Sequence, residues 1–156
     1  MKVSDIMTRE LVTVKPDDTI LDTAKLMRHH NIGCIPVVER ENKVLGVITD
    51  RDIVINMAKY NSDPANTCAK EIASDVVYQI KPDVDIKYAL DMMQKQRIRR
   101  LTVIENDHLV GMLSLGDIAV HTNFNMEVGD TLIEISKPSH VENVWLSRFW
   151  KIYYFS

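Results

Sequence analysis

From Thr19 onward the apolar positions Ile20, Ala24 and Met27 share one side of a 3.6-residue period, and Asp22 stands three residues after the threonine in capping-box spacing. This pattern predicts a helix, which Asn31-Ile32-Gly33 closes. The rhythm then changes. Two short apolar runs, Ile35 to Val38 and Val44 to Ile48, flank a polar turn at Glu41-Asn42 and predict a hairpin of buried strands. A second helix begins after Thr49. The same succession returns further on: a helix from Ile86 to about Gln96, strands from Leu101 to Ile104 and Leu109 to Leu113, and a helix from Leu115. A short strand precedes each set, near Leu11 to Val14 and Val77 to Ile80, so each unit reads β-α-β-β-α.

The recurrence extends to individual residues. Lys15-Pro16-Asp17-Asp18-Thr19-Ile20 answers to Lys81-Pro82-Asp83-Val84-Asp85-Ile86 at an offset of 66, as do Met27, Ile32, Val37 and Val38 to Met93, Ile98, Val103 and Ile104. After one deleted residue in the turn, Gly46, Thr49, Asp52 and Ile53 answer to Gly111, Ser114, Asp117 and Ile118 at an offset of 65. A unit of this size buries little core alone, so two copies are expected to pack sheet against sheet about a pseudo-twofold axis. The fold class is mixed α/β, of the α+β kind. Residues 1–60 and 69–136 form the two units, 61–68 a linker carrying Ser62, Asp63, Pro64 and Asn66, and 137–156 a tail.

Composition narrows the function classes. In 156 residues, 19 Lys+Arg stand against 22 Asp+Glu for a net charge of −3, which gives no general electrostatics for nucleic acid or an anionic membrane. Cys34 and Cys68 are too few for a disulfide framework, and no apolar stretch resembles a signal peptide or a bilayer span. A cytoplasmic protein with free thiols is expected.

Chemistry concentrates in Gly46-Val47-Ile48-Thr49-Asp50-Arg51-Asp52 and its copy Gly111-Met112-Leu113-Ser114-Leu115-Gly116-Asp117. Thr49 with Asp52, and Ser114 with Asp117, have the spacing of helix capping boxes. The same residues suit a ligand. A helix N-terminus attracts an anion, a hydroxyl there reaches a phosphate, and an aspartate one turn in accepts hydrogen bonds from a ribose diol. The preceding glycine is expected to admit a planar group to the backbone. Two copies facing one groove favour a ligand site more than either alone.

With these motifs and their spacing, residues 1 to 136 resemble a tandem pair of CBS domains, a Bateman module. Val3-Ser4-Asp5-Ile6-Met7-Thr8 is similar to the family's entry segment, and Ala69-Lys70-Glu71-Ile72-Ala73-Ser74 is its copy. The resemblance implies a sensor that binds adenosyl ligands (AMP, ADP, ATP, S-adenosylmethionine, sometimes NAD or a cyclic dinucleotide) between the units. It implies one site pairing Ser114 and Asp117 with Thr8, Val12, Thr13, Val14, Gly33 and Cys34. The mirror site would pair Thr49 and Asp52 with Ser74, Gln79, Arg99 and Arg100. Aspartate would hold the ribose, the hydroxyls would orient ribose or phosphate, and Val47 or Met112 would pack on the base. Gly33-Cys34 leaves room for a flat base, whereas Arg99-Arg100 suits phosphates, so the mirror site is expected to tolerate ATP or ADP better. Thr102 departs from the family pattern, which has the proline present as Pro36.

The resulting reading is a regulatory module without catalysis and without an obligatory cofactor. It is a homodimer through flat packing of two modules, takes an adenine nucleotide as regulatory ligand, and acts on a protein partner by conformational change. The alternative is a structural or oligomerisation module with vestigial clefts; a small enzyme would need a nucleophile or an acid-base pair in a cleft. His29-His30 suits the dipole at a helix C-terminus better than a metal, and no ligand spacing joins the histidines and cysteines. Cys34 lies in an apolar run without a paired histidine and reads as a packing residue.

Six aromatics, Trp145, Phe149, Trp150, Tyr153, Tyr154 and Phe155, crowd the tail. From Val144 to Phe155 they predict a helix docked on its own core or on a dimer partner; only Arg148 and Lys151 would supply charge to a membrane-lying helix. Truncation after Ser136 should shift the oligomer distribution seen by light scattering. Nucleotide affinity should stay within about threefold, a change below about 0.7 kcal/mol.

Overall fold

The structure, a computed structural model, describes residues 1–137; the aromatic tail lies outside the described residues. In the first unit, helix α1 (Val3–Ile6) and helix α2 (Ile20–His30) precede strands β1 (Cys34–Val38) and β2 (Val44–Thr49) and helix α3 (Asp50–Tyr60). The second unit repeats this as α4 (Ala69–Ile72), β3 (Gln79–Ile80), α5 (Ile86–Gln96), β4 (Arg100–Glu105), β5 (His108–Ser114) and α6 (Leu115–His121). A last helix, α7 (Asn125–Ser136), packs on α5 and buries Thr131. No helix among the described residues is long and apolar enough to cross a membrane.

Helix ends follow local chemistry. Thr19 accepts a hydrogen bond from the Asp22 N–H at 3.1 Å, and Asn31 ends α2 in the left-handed region at φ 53°. Asp85 and Arg97 take the same two places around α5. The deleted residue is explained by the turns: Asn106 and Asp107, both at positive φ, form a two-residue hairpin loop, where the first unit uses a longer turn through Arg40–Asn42. Across these turns the His108 ring nitrogen meets the Glu41 carbonyl.

The expected first strands differ. In the second unit the Thr102 N–H donates to the Tyr78 carbonyl at 3.1 Å, and β3 joins a three-stranded sheet with β4 and β5. In the first, Pro36 stands in register with Thr102 and has no N–H to donate. The strand expected over Leu11 to Val14 is therefore reduced to a single bridge between Val14 and Val37, beside a two-stranded sheet of β1 and β2.

The repeats of sequence are not the units of packing. Val3 and Met7 sit in one core with Ile86, Met93, Leu101 and Ile118, all of the second repeat. Reciprocally, Ala69 belongs to the core of Ile20, Ile35, Ile48 and Ile53. The entry helices are exchanged. Backbone bonds fix each exchange: Val3 and Ser4 N–H groups donate to the Val84 and Pro82 carbonyls (2.9 and 2.8 Å), and Ala69 and Lys70 to those of Asp18 and Pro16 (2.7 and 3.0 Å). The linker closes the path, since Thr67 and Pro64 carbonyls accept from the first N–H groups of α2, Ile20 and Leu21.

The exchange itself requires Gly46 and Gly111. A Cβ on Gly46 would stand 2.8 Å from both the Ala73 Cβ and the Ser74 carbonyl oxygen; on Gly111 it would meet the Met7 sulfur at 2.6 Å and the Thr8 carbonyl at 3.2 Å. Gly46 faces backbone and a rigid methyl, whereas the nearest atom to Gly111 belongs to a flexible side chain. Gly46→Ala should therefore destabilise more than Gly111→Ala. The overpacking range of about 1–3 kcal/mol bounds the expectation, and urea denaturation followed by circular dichroism measures the order.

Candidate functional site

Each β-hairpin runs directly into a helix, and the junction carries the aspartate. Ser114 accepts from the Asp117 N–H at 3.0 Å, and Asp117 Oδ2 accepts from the Ser114 N–H and hydroxyl, both at 2.7 Å. Thr49 and Asp52 repeat this at 3.2, 2.8 and 2.6 Å. The capping boxes are thus formed. In both, one carboxylate oxygen does the capping, and Oδ1 accepts no hydrogen bond from the described residues. The hydroxyl donors are already committed to the carboxylates and one lone pair of each accepts the aspartate N–H, so a single acceptor lone pair on each is open to a ligand, which narrows the orienting role expected of them.

Opposite each junction lies the entry segment of the other repeat. Thr8 and Met112 exchange two backbone hydrogen bonds, at 2.9 and 3.0 Å, and the Ser74 N–H donates to the Val47 carbonyl at 2.9 Å. These bridges make two open clefts of similar plan. Cleft A, about 390 Å³, brings Thr8, Val12, Gly33 and Cys34 of the first repeat to Met112, Ser114 and Asp117 of the second. Cleft B, about 590 Å³, brings Val47, Thr49 and Asp52 to Ser74, Arg99 and Arg100. Both volumes lie within the range of small-molecule sites.

Three expected residues fall elsewhere. Val14, 2% exposed, is a core residue whose N–H donates to the Pro36 carbonyl. Thr13 and Gln79 occupy matching positions outside the clefts: Thr13 lines neither, and Gln79 faces a separate hollow with Lys81 and Asp107. Arg100 corrects the expected contrast between the sites, because it lines both clefts, as do Cys34 and Met112. Cys34 and Arg100 hold matching register positions, opposite Thr49 and Ser114, so they adjoin near the pseudo-twofold axis.

Sequence reasoning missed several lining residues. His30 and Glu10 line cleft A, so His30 has a second environment besides the helix end. Arg51, Arg97, Tyr78 and Asp50 line cleft B. Arg97 was legible as the copy of Asn31, which lines cleft A. The charge balance is unequal: with Arg97 paired to Glu134 at 3.9 Å, Arg51, Arg99 and Arg100 stand against Asp50 and Asp52 in cleft B, but Arg100 alone against Glu10 and Asp117 in cleft A. Among the described residues no group of three or more His, Cys, Asp or Glu is placed to hold a metal ion.

A family model for the CBS domain matches residues 3–59 and again 69–121. The chain is 37% identical over 134 residues to the CBS domain-containing protein YhcV of Bacillus subtilis, covering 86% of this chain and 94% of that one. Its fold is similar to the crystal structure of Hypoxic Response Protein I with two coordinated zinc ions (TM-score 0.72, 33% identity, 78% of this chain and 99% of that one). It is also similar to the CBS domain pair of protein MJ0100, solved in complex with 5′-methylthioadenosine and S-adenosyl-L-methionine (TM-score 0.70, 26% identity, 77% and 94%).

Burial pushes the Cys34 thiol up; Arg100 opposes this, while Asp52 and Asp50 reinforce it. The thiol form therefore dominates at neutral pH, which fits a packing residue. Alkylation of Cys34 by iodoacetamide, followed by mass spectrometry, should be slower at pH 7 than that of glutathione and should still be accelerating above pH 9.

Proposed function

This chain belongs to the CBS-domain family as a tandem pair, a class whose members are generally regulatory, and on that premise we propose that it senses an adenosyl ligand (AMP, ADP, ATP or S-adenosylmethionine) in clefts A and B. The carrying observation is the half-used aspartate. Asp52 and Asp117 are each fixed by capping through Oδ2 and present Oδ1 without a partner among the described residues. A carboxylate oxygen held on a helix end is suited to the two hydroxyls of a ribose.

The clefts also supply a means of signalling. Every wall joins one repeat's hairpin-helix junction to the other's entry segment, so a ligand touches both units at once. A nucleotide that fits one arrangement better biases the pair toward it, by no more than its difference in affinity for the two. Exposed apolar residues, Val54, Ile55 and Met57 on α3 and Val120, Met126 and Ile133 on α6 and α7, support a homodimer that carries this change to a partner. In this reading the chain is a sensor and not an enzyme, needs no resident cofactor and works in the cytoplasm.

Calorimetric titration with AMP, ATP and S-adenosylmethionine tests the proposal. Saturable binding below millimolar concentration is the expected result for at least one of them; its absence for all three would favour a structural module with vestigial clefts. In the Asp52→Asn, Asp117→Asn double variant the charge-assisted ribose bonds are lost while an acceptor remains for the caps. Affinity should fall by about 1.5–3 kcal/mol per site, with the circular dichroism spectrum of the folded protein retained. Unaltered affinity would remove aspartate from the ribose site.

A further inference from the structure

The clefts adjoin at a position where the two repeats do not match. Cys34 opens β1 in register with Thr49, and Arg100 opens β4 in register with Ser114. Both residues line both clefts. Exact symmetry would supply one identical side chain for each cleft. Instead one member of the pair is a thiol, kept uncharged at neutral pH by burial, and the other is a guanidinium. Two clefts therefore have one such cation between them.

They depend on it unequally. In cleft A, Arg100 is the one lysine or arginine of the lining, and Glu10 and Asp117 stand against it. Cleft B also has Arg51 and Arg99. The Arg100 side chain is exposed and pairs with no carboxylate among the described residues. Its register with Ser114 sets it at the junction of cleft A, and its chain neighbour Arg99 ties it to the arginine wall of cleft B. A planar guanidinium fork that grips a phosphate in one cleft turns its donors from the other.

Resting on the ligand reading above, we infer that the clefts compete for Arg100: a phosphorylated ligand in cleft B takes the guanidinium and lowers the affinity of cleft A for a phosphorylated ligand, but not for an uncharged nucleoside. With cleft B empty, cleft A accepts a nucleotide. With cleft B filled, the charges left in cleft A to meet a phosphate are the carboxylates of Glu10 and Asp117, and the nucleoside is preferred. Occupancy of one cleft thus sets the ligand class of the other. Linkage makes the effect reciprocal, a nucleotide in cleft A weakening cleft B by the same factor.

The test uses the full chain in calorimetry, with AMP and adenosine as probes. Cleft B, richer in arginine, fills first in the unsubstituted chain, so the second step reports cleft A with B occupied. Asp52→Asn weakens cleft B, and the first step then reports cleft A with Arg100 free. Adding Asp117→Asn identifies the step that belongs to cleft A, by weakening it. AMP should bind cleft A about fivefold or more tightly in Asp52→Asn than in the unsubstituted chain, the low end of ordinary coupling between sites. Adenosine should bind it equally in both. Arg100→Gln should make the two AMP affinities equal, and the comparison also subtracts any effect of the lost Asp52 charge. An AMP affinity in cleft A indifferent to cleft B, a difference that survives Arg100→Gln as direct repulsion between phosphates would, or a parallel change for adenosine would each overturn the competition and leave the ligand reading standing. No saturable binding of AMP or adenosine would overturn both.

Discussion

The close approach of each entry segment to the other repeat's hairpin is the constraint on which this structure depends. Gly46 and Gly111 leave no room for a Cβ because Ala73-Ser74 and Met7-Thr8 lie against them. Those segments are held there by apolar burial, Ala69 and Val3 being fully enclosed in the opposite cores, and by N–H groups at their helix starts that bond the opposite repeat's loops. Neither repeat has a complete core without the other. Exchange thus turns two units, each small for independent stability, into one cooperative body.

The clefts are a geometrical consequence of that exchange. Once Thr8 bridges to Met112 and Ser74 bonds to Val47, each hairpin-helix junction faces a wall contributed by the other repeat. The aspartate at the junction has a structural duty, capping, that fixes its carboxylate without using all of it. Site and scaffold share the same atoms. This is why the capping and ligand readings of the motif are compatible: a cap preorganises the group that a ligand would meet.

Divergence between the repeats has broken the symmetry of the clefts through few residues. Thr102 for Pro36 adds a sheet bond, and Arg99 for Gly33 changes the balance of charge. Arg100 and Cys34 lie where the clefts adjoin and line both, so the two clefts share one guanidinium charge. The burial-raised Cys34 thiol keeps that shared wall neutral on its side, leaving Arg100 as the charge common to the two sites.

Much of this was legible in the sequence because it rests on local chemistry. The repeat offset, the α2 and α5 boundaries, the hairpins and both capping boxes follow from periodicity, turn residues and side chains acting within a few positions. The motif residues Thr49, Asp52, Ser114 and Asp117 fall where their spacing placed them, one set in each cleft. What tertiary structure alone decided is long-range. Whether Val3 and Ala69 pack at home or in the opposite repeat cannot be read from identical local patterns, since either arrangement buries the same side chains. The reason for Gly46 and Gly111 followed that choice. So did the placing of Arg100 in both clefts and of Val14 and Gln79 in neither, because a residue's face is fixed by strand register and pairing, which are settled between segments far apart in the chain.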